Sequence, residues 1–350
     1  MKKILLLTLA AFLLVSCNNS NNKTTVKIGV IGPLTGAGAT TSDYWVNGFK
    51  YAIDQINSKQ DGETYELIIE DCQSDPAQTI ACYKRLEMQG IKYIVAVGGQ
   101  FALAAAPVSK GKDVIYFTSA DFNEAILDVT DRGLRVYPNS KTFADTAVNF
   151  LTRTYGYNNY GTFALNTVAC LEATKAFSAG VISKGGNMVF QETYDIGAYD
   201  FKNIVSKVSN KKAQAIFMTG FGISPTAFIN QLATNRKFDS IVIFGDLNLA
   251  TKAFLENNDN KKARIHYADV RFFDEQEKEY MEKYGNHSNG IATSAYIIPF
   301  LIREARSKVA HDNIEEQLKY LRGNTITTKL GDVHIDDRGS CAIPMQVYSL

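Results

Sequence analysis

The sequence predicts an α/β protein made of two doubly wound parallel-sheet lobes. Three observations point there. Short runs of Val, Ile and Phe alternate with longer amphipathic stretches, the grammar of a parallel sheet covered by helices on both faces. The alternation halts at Pro138 and then starts again. The roughly 325 residues that follow the N-terminal segment are too many for one small core and suit two domains.

The N-terminal segment comes first. Lys2 and Lys3 precede an apolar run of twelve residues from Ile4 to Val15, too short to span a bilayer as a helix. A positive start, a short apolar middle and small residues before a cut describe a signal peptide, residues 1–16. Leu14-Val15-Ser16-Cys17 resembles a bacterial lipobox, in which the Cys17 thiol takes a diacylglycerol and becomes the mature N-terminus. Residues 17–25 offer no apolar group to bury up to Thr25, so a disordered tether is expected between membrane and folded body. Stable attachment needs more than one acyl chain.

Residues 26–31 read as a buried strand, broken by Pro33 and Gly36. Val46, Phe49, Ile53 and Ile56 then form a helical stripe at 3.6-residue spacing. Leu67-Ile68-Ile69 is the next strand. Asp75-Pro76 marks a helix start, with Asp as N-cap and Pro in the first helical position, and Gly90 closes that helix. Residues 93–97 form a third strand, residues 102–109 an Ala-rich helix and residues 114–117 a fourth strand.

Beyond Pro138 the pattern repeats. Strands are expected at 162–165, 188–190, 215–218 and 241–244. Helices are expected at 173–183, at 200–209 and after Ser224-Pro225, the last carrying Phe228, Ile229 and Leu232. An apolar helix near 292–305, a helix near 313–321 and a terminal strand near 345–350 complete the chain.

Composition narrows the function. Removing Lys2 and Lys3 takes Lys+Arg from 37 to 35 against 36 acids, a net charge of −1, and gives no basic face for nucleic acid. Cys72, Cys82, Cys170 and Cys341 match no metal spacing; Cys72 and Cys82 either pair or stay as buried thiols. His266, His287, His311 and His334 are scattered. There is no Ser/His/Asp constellation, phosphate-cradling glycine loop or placed carboxylate pair, so neither an enzyme nor a cofactor or metal is expected. In doubly wound sheets ligands sit outside the carboxyl ends of the strands. That rule selects the loops at 32–44, 98–103, 118–123, 166–172, 219–223 and 245–248.

These residues carry a resemblance to a known family. Gly29-Val30-Ile31-Gly32-Pro33-Leu34-Thr35-Gly36, Asp75-Pro76, Gly90-Ile91-Lys92-Tyr93-Ile94, Asp200-Phe201 with Ile204-Val205, and Gly331 with Asp336-Asp337 and Gly339 stand in matching order. Over residues 27–348 the chain resembles type I periplasmic solute-binding proteins of the branched-chain amino acid class, which deliver ligand to ABC transporters. The resemblance implies lobe one at 26–137 plus 269–330 and lobe two at 138–268 plus 331–350. Three crossings would form a hinge, and the lobes would close around solute. It also implies a monomer, docked on a membrane ABC permease and held at the extracytoplasmic face by lipidated Cys17.

The site positions depart from the amino-acid binders. The family's carboxylate-holding Ser falls on Ala102, beside Phe101; a backbone contact falls on Ala120 and a Thr on Phe122. One Tyr falls near Ala169 and another on Phe221. The acid for the ligand ammonium falls on Leu247, with Asp246 one residue away. A buried carboxylate without donors is costly. Trp45, Phe101, Phe122 and Phe221 beside Asp121 and Asp246 suit a flat or cationic solute instead, unless the rings only pack the lobe cores. Thr41 stands in a Thr/Ser cluster that either caps the first helix or lends its N–H groups to ligand. Gln100 is a hydrogen-bonding candidate or a surface turn.

The expected ligand-binding set is therefore Thr41, Trp45, Gln100, Phe101, Ala102, Ala120, Asp121, Phe221 and Asp246. The expected function is capture of a small amino-acid-like, aromatic or amine-bearing solute for an ABC importer. The alternative is a ligand sensor feeding a separate membrane receptor.

Overall fold

A computed structural model describes residues 24–60, 62–122, 124–234, 240–259, 264–272 and 274–350. Cys17 and the expected signal peptide lie outside the described residues. Two parallel sheets organise the chain. The first is ordered β2-β1-β3-β4-β5, with β1 Thr24–Gly32, β2 Glu63–Asp71, β3 Tyr93–Val97, β4 Ile115–Ser119 and β5 Gly133–Val136. β1 begins at Thr24, where Thr24 pairs with Glu63 and Thr25 with Thr64. The last two residues of the expected tether therefore belong to the sheet. Backbone pairing, which needs no apolar side chain, draws them in.

Helices α1 (Ser42–Asn57), α2 (Pro76–Met88), α3 (Gly99–Ser109) and the short α4 (Ile126–Val129) connect these strands. Asp75 caps α2 as its sequence predicts, accepting from Ala77 N at 2.6 Å, with Pro76 in the first helical turn. α1 departs from expectation. Thr41 stands at its N-cap, yet no side chain caps the helix, and Thr41 Oγ1 donates instead to the Gly38 carbonyl at 3.0 Å. A 3-10 turn at Ala39–Thr41 leads straight into α1, so the local carbonyl is the nearer partner.

The second sheet is ordered β14-β10-β9-β8-β6-β7. Its strands are β6 Asn159–Leu165, β7 Asn187–Tyr194, β8 Ala215–Thr219, β9 Val242–Gly245 and β10 Arg264–Asp269, with β14 Gln346–Ser349 antiparallel at the edge. Helices α5 (Ser140–Tyr155), α6 (Val168–Ser183), α7 (Lys202–Asn210), α8 (Ser224–Leu232) and α9 (Lys252–Asn257) belong to this lobe. The chain then returns to lobe one through α10 (Asp274–Tyr284), α11 (Gly290–Lys308) and α12 (Ile314–Leu321).

The chain passes between the lobes near residues 137–139, 269–272 and 343–346. The third passage corrects the expected boundary. Residues 331–343 do not enter lobe two: β12 (Gly331–Ile335) pairs with β11 (Thr325–Thr328) and β13 (Cys341–Ala342) in a three-stranded sheet. Val333, Ile335, Cys341 and Ile343 pack into the lobe-one core with Ile326 and Leu321. Burial of those apolar side chains holds the segment on lobe one until Met345. Cys72, Cys82 and Cys341 are buried, and all four described cysteines are free.

Candidate functional site: the cleft between the lobes

The cleft is built where strand ends and crossings meet. Its hub is Tyr137, buried at the first crossing. Burial pushes the Tyr137 hydroxyl well above its ordinary range, helped by the charges of Asp269, Asp246 and Asp121, so the fields of one acid from each lobe and one from the second crossing reach it. The Tyr137 hydroxyl also packs against Gly290, where a Cβ would come within 2.9 Å of it. Gly290 is the first residue of α11.

On lobe one, the first loop is pinned to the turn after β2. Asp71 accepts from Leu34 N at 3.0 Å and from the Thr35 hydroxyl at 2.7 Å. Burial raises the half-buried Asp71 carboxyl, but these bonds outweigh it and hold the group below its usual range. After β4, Ala120 adopts a left-handed backbone, φ 58°, a costly state for a residue with a side chain that turns the next carboxylate inward. Asp121 is buried against the start of α3: a Cβ on Gly99 would lie 2.3 Å from Asp121 Oδ1.

On lobe two, Asp246 follows β9 and is 5% exposed. Its Oδ1 accepts from Asn248 N at 2.9 Å and Asn248 Nδ2 at 2.7 Å, and its Oδ2 accepts from Gly220 N at 3.3 Å. All three donors are neutral. Burial raises its pKa from 3.8 to about 6, and the hydrogen bonds offset only part of that. Phe221, 46% exposed between Gly220 and Gly222, lies on the same strand-end edge, with Val168, Leu171 and Ile223 also exposed there.

At the second crossing Asp269 is fully buried. Its Oδ1 accepts from Gly290 N at 2.7 Å and Val270 N at 2.8 Å; its Oδ2 faces Arg271 Nε at 3.4 Å. Burial raises its pKa from 3.8 to about 7, against the pull of Arg271. A cavity of about 250 Å³ opens beside it, lined by Tyr44 of lobe one, Leu247 and Ala250 of lobe two, Arg271 of the crossing and Asn289 before α11. That volume restricts it to a small solute.

The structure sorts the expected binding residues. Asp121 and Asp246 converge on Tyr137, Ala120 is half-buried beside them, and Phe221 stands on the rim. Three expectations are corrected. Trp45 is fully buried in the lobe-one core, where its ring covers Gly32: a Cβ there would lie 2.7 Å from Cζ2. The apolar stripe of α1 includes position 45, so the indole turns inward with Phe49. Phe101 and Ala102 are buried among the apolar residues between α2 and α3, and the Ala102 carbonyl accepts from the Tyr116 hydroxyl at 2.9 Å. Gln100 stays exposed in the first turn of α3, just past the end of β3. Phe122 stacks on Phe143 at 5.4 Å and meets Tyr137 edge-on at 5.0 Å, bridging the lobe cores. Leu247 packs into the lobe-one core from lobe two.

Sequence reading missed Tyr44, Asp269 and Arg271. Asp269-Val270-Arg271 does follow an apolar alternation at 264–269, the signal that marks a strand end.

Among the described residues no group of three His, Cys, Asp or Glu could hold a metal ion, and no helix is long and apolar enough to cross a membrane. The sequence model of the family described as periplasmic binding protein matches residues 25–328. A Leu/Ile/Val-binding protein of Rhizobium johnstonii is 24% identical over 209 residues, 56% of this chain and 54% of its own, so the match spans about half of that relative. A leucine-, isoleucine-, valine-, threonine- and alanine-binding protein of Pseudomonas aeruginosa is 23% identical over 353 residues, covering 90% of this chain and 87% of its own.

Solved structures share the fold. A leucine-binding protein of Thermotoga maritima superposes with a TM-score of 0.77 at 18% identity, over 93% of this chain and 95% of that one. An ABC-transporter solute-binding protein of Rhodopseudomonas palustris, in complex with 3,4-dihydroxybenzoic acid, gives 0.79 at 20% identity, over 93% of each chain. An isoleucine complex from Streptococcus pneumoniae gives 0.78 at 17%, over 93% and 100%. A family match over most of the sequence, carried on two doubly wound lobes with a cleft between them, places this chain in the periplasmic binding protein family.

Proposed function

We propose that the chain is the lipid-anchored, extracytoplasmic solute-binding component of an ABC importer. It takes a small amino-acid-like, aromatic or amine-bearing solute between its lobes by hinge closure and hands it to a membrane permease. The relatives bind branched-chain amino acids, and several fold neighbours bind benzoates. The departures at Ala102 and Leu247 keep either ligand from being carried over directly.

Asp246 is the observation that carries the reading. It is a buried carboxylate at a strand end in the cleft, and among the described residues its partners are neutral donors alone. An unpaired buried charge is costly. A solute amine is the group that would relieve it, and the exposed Phe221 ring offers an apolar or cation-holding face beside it. Asp121 and Ala120 would close the lobe-one side.

The test is a thermal-shift screen of soluble protein carrying Cys17→Ser, against amino acids, amines, nucleobases and aromatic acids. A ligand at about a hundred times its dissociation constant adds roughly 2.7 kcal/mol of stability. A shift with an amine-bearing solute that is lost in Asp246→Asn supports the assignment. An unchanged response in Asp246→Asn removes that residue from the site. A screen with no response from any class removes the solute-binding reading of this cleft.

A further inference from the structure

The cavity beside the second crossing contains a cation that the folded chain only partly uses. Arg271 leaves β10 where the chain enters lobe one, and its side chain is 16% exposed. Its guanidinium carbon sits 4.4 Å from the Tyr348 ring centre and 5.4 Å from that of Tyr267, so the plane is held by two aromatic faces. Nη2 donates to the Tyr267 hydroxyl. Nε reaches Asp269 Oδ2 only at 3.4 Å, long for a charge-assisted bond. No hydrogen bond from Nη1 to any described residue accompanies these.

Asp269 is a weak counter-ion. Two backbone N–H groups hold its Oδ1, and burial works against its charge, raising its carboxyl well above the ordinary range. The cavity that Arg271 lines draws walls from both lobes, among them Tyr44, His287 and Asn289 from one and Leu247, Ala250 and Glu256 from the other, so an incoming anion meets the carboxyls of Asp269 and Glu256 as well as the guanidinium. Leu247 directly follows Asp246 in the chain. A planar fork, fixed by stacking, short of acceptors and set in an interlobe cavity is the arrangement that recognises a carboxylate.

We propose that Arg271 is a specificity-determining residue of the cleft and binds the carboxylate of the solute, taking over the role that Ala102 and its loop cannot fill. This rests on the interlobe cleft being the binding site, and it narrows the solute class to compounds carrying a carboxylate. An amine on the same molecule would point across Leu247 toward Asp246. Asp269 steadies the guanidinium in the empty cleft and gives way when the stronger anion arrives.

The test compares acids with their amides on the full mature chain carrying Cys17→Ser. The probes are leucine and leucinamide, phenylalanine and phenylalaninamide, benzoate and benzamide, and 4-hydroxybenzoate and 4-hydroxybenzamide, each titrated by calorimetry at one ionic strength. At least one acid is expected to bind where its amide does not. Arg271→Gln should raise that acid's Kd about 10- to 100-fold, the range for losing one charge-assisted contact, and Arg271→Lys should restore part of it.

Arg271 also braces β10 against β14, so the melting temperature of each ligand-free variant is measured alongside. Tyr348→Leu, which disturbs the bracing and keeps the cation, should retain the preference for acid over amide. Equal binding of an acid and its amide, or equal affinity in wild type and Arg271→Gln, overturns the proposal. A response to uncharged or purely cationic solutes alone also overturns it, while leaving the cleft reading intact.

Discussion

Asp246 carries a charge that its surroundings support poorly, and stability should show it. Its folded pKa is about 6 against an ordinary 3.8. The native state therefore holds the proton more tightly than the unfolded chain between those values. The cost of ionising it is absent below about pH 4, grows as pH rises and is complete above about pH 6. Linkage at about 1.36 kcal/mol per unit makes it roughly 3 kcal/mol. Asp246→Asn removes the titration, so its stability relative to wild type should rise from pH 4 to pH 7 and then level off. Urea unfolding at several pH values reads this directly, and parallel pH profiles for the two proteins would contradict it. Trp45 is the opposite case at the same scale. Its size and rarity suggested a stacking platform, but its place on the apolar stripe of α1 turned it inward, and what it covers is Gly32.

Backbone approaches backbone closely where α1 crosses α11. A Cβ on Gly48 would lie 2.2 Å from the Ala292 carbonyl oxygen, a backbone atom that cannot swing aside. Gly48→Ala should therefore force the helices apart and cost about 1–3 kcal/mol, lowering the melting temperature by several degrees. An unchanged melting temperature would show that the crossing can relax. Some elements were harder to read. α5 was missed although Phe143, Ala144, Ala147, Val148 and Leu151 form a helical stripe, because Thr, Asn and Lys fill its other face. Its Asn139 N-cap, which accepts from Thr142 N, and the left-handed Gly156 at its end were signals that would have found it. β5 was missed because its four residues include Arg135. That arginine is fully buried and donates to the carbonyls of Asp121, Tyr137 and Pro138 and to the Ser340 hydroxyl. A charged residue in a four-residue edge strand breaks the apolar pattern that marks one.

Across the whole molecule, the two lobe cores meet at few side chains. Phe122 and Met345 pack against both cores, each at a different crossing, and Arg135 ties the first crossing to the segment before the third. Phe122→Ala should loosen the lobes while leaving each lobe folded. It should increase the radius of gyration in solution scattering and, if the proposed closure binds solute, weaken binding severalfold, because the stacked ring no longer joins the lobe cores. An unchanged scattering profile together with unchanged affinity would show that Phe122 has no part in holding the lobes.

The sequence by itself determined the two-lobed α/β architecture, the strand-end loops where ligand is sought and the family. These follow from local periodicity and turn chemistry, which each segment carries within itself. It also placed Asp121, Asp246 and Phe221 correctly at the strand ends. Which side chains face the cleft was decided only by the tertiary structure. A helix rotated by one residue exchanges core for surface, and that rotation is set by the partner helix: α11 against Gly48 turns Trp45 inward. The third crossing was decided the same way, by burial of Val333, Ile335 and Ile343 on lobe one. So was the meeting of Tyr44 with Asp269 and Arg271, which lie more than two hundred residues further along the chain and reach it only because the second crossing brings them to one cavity.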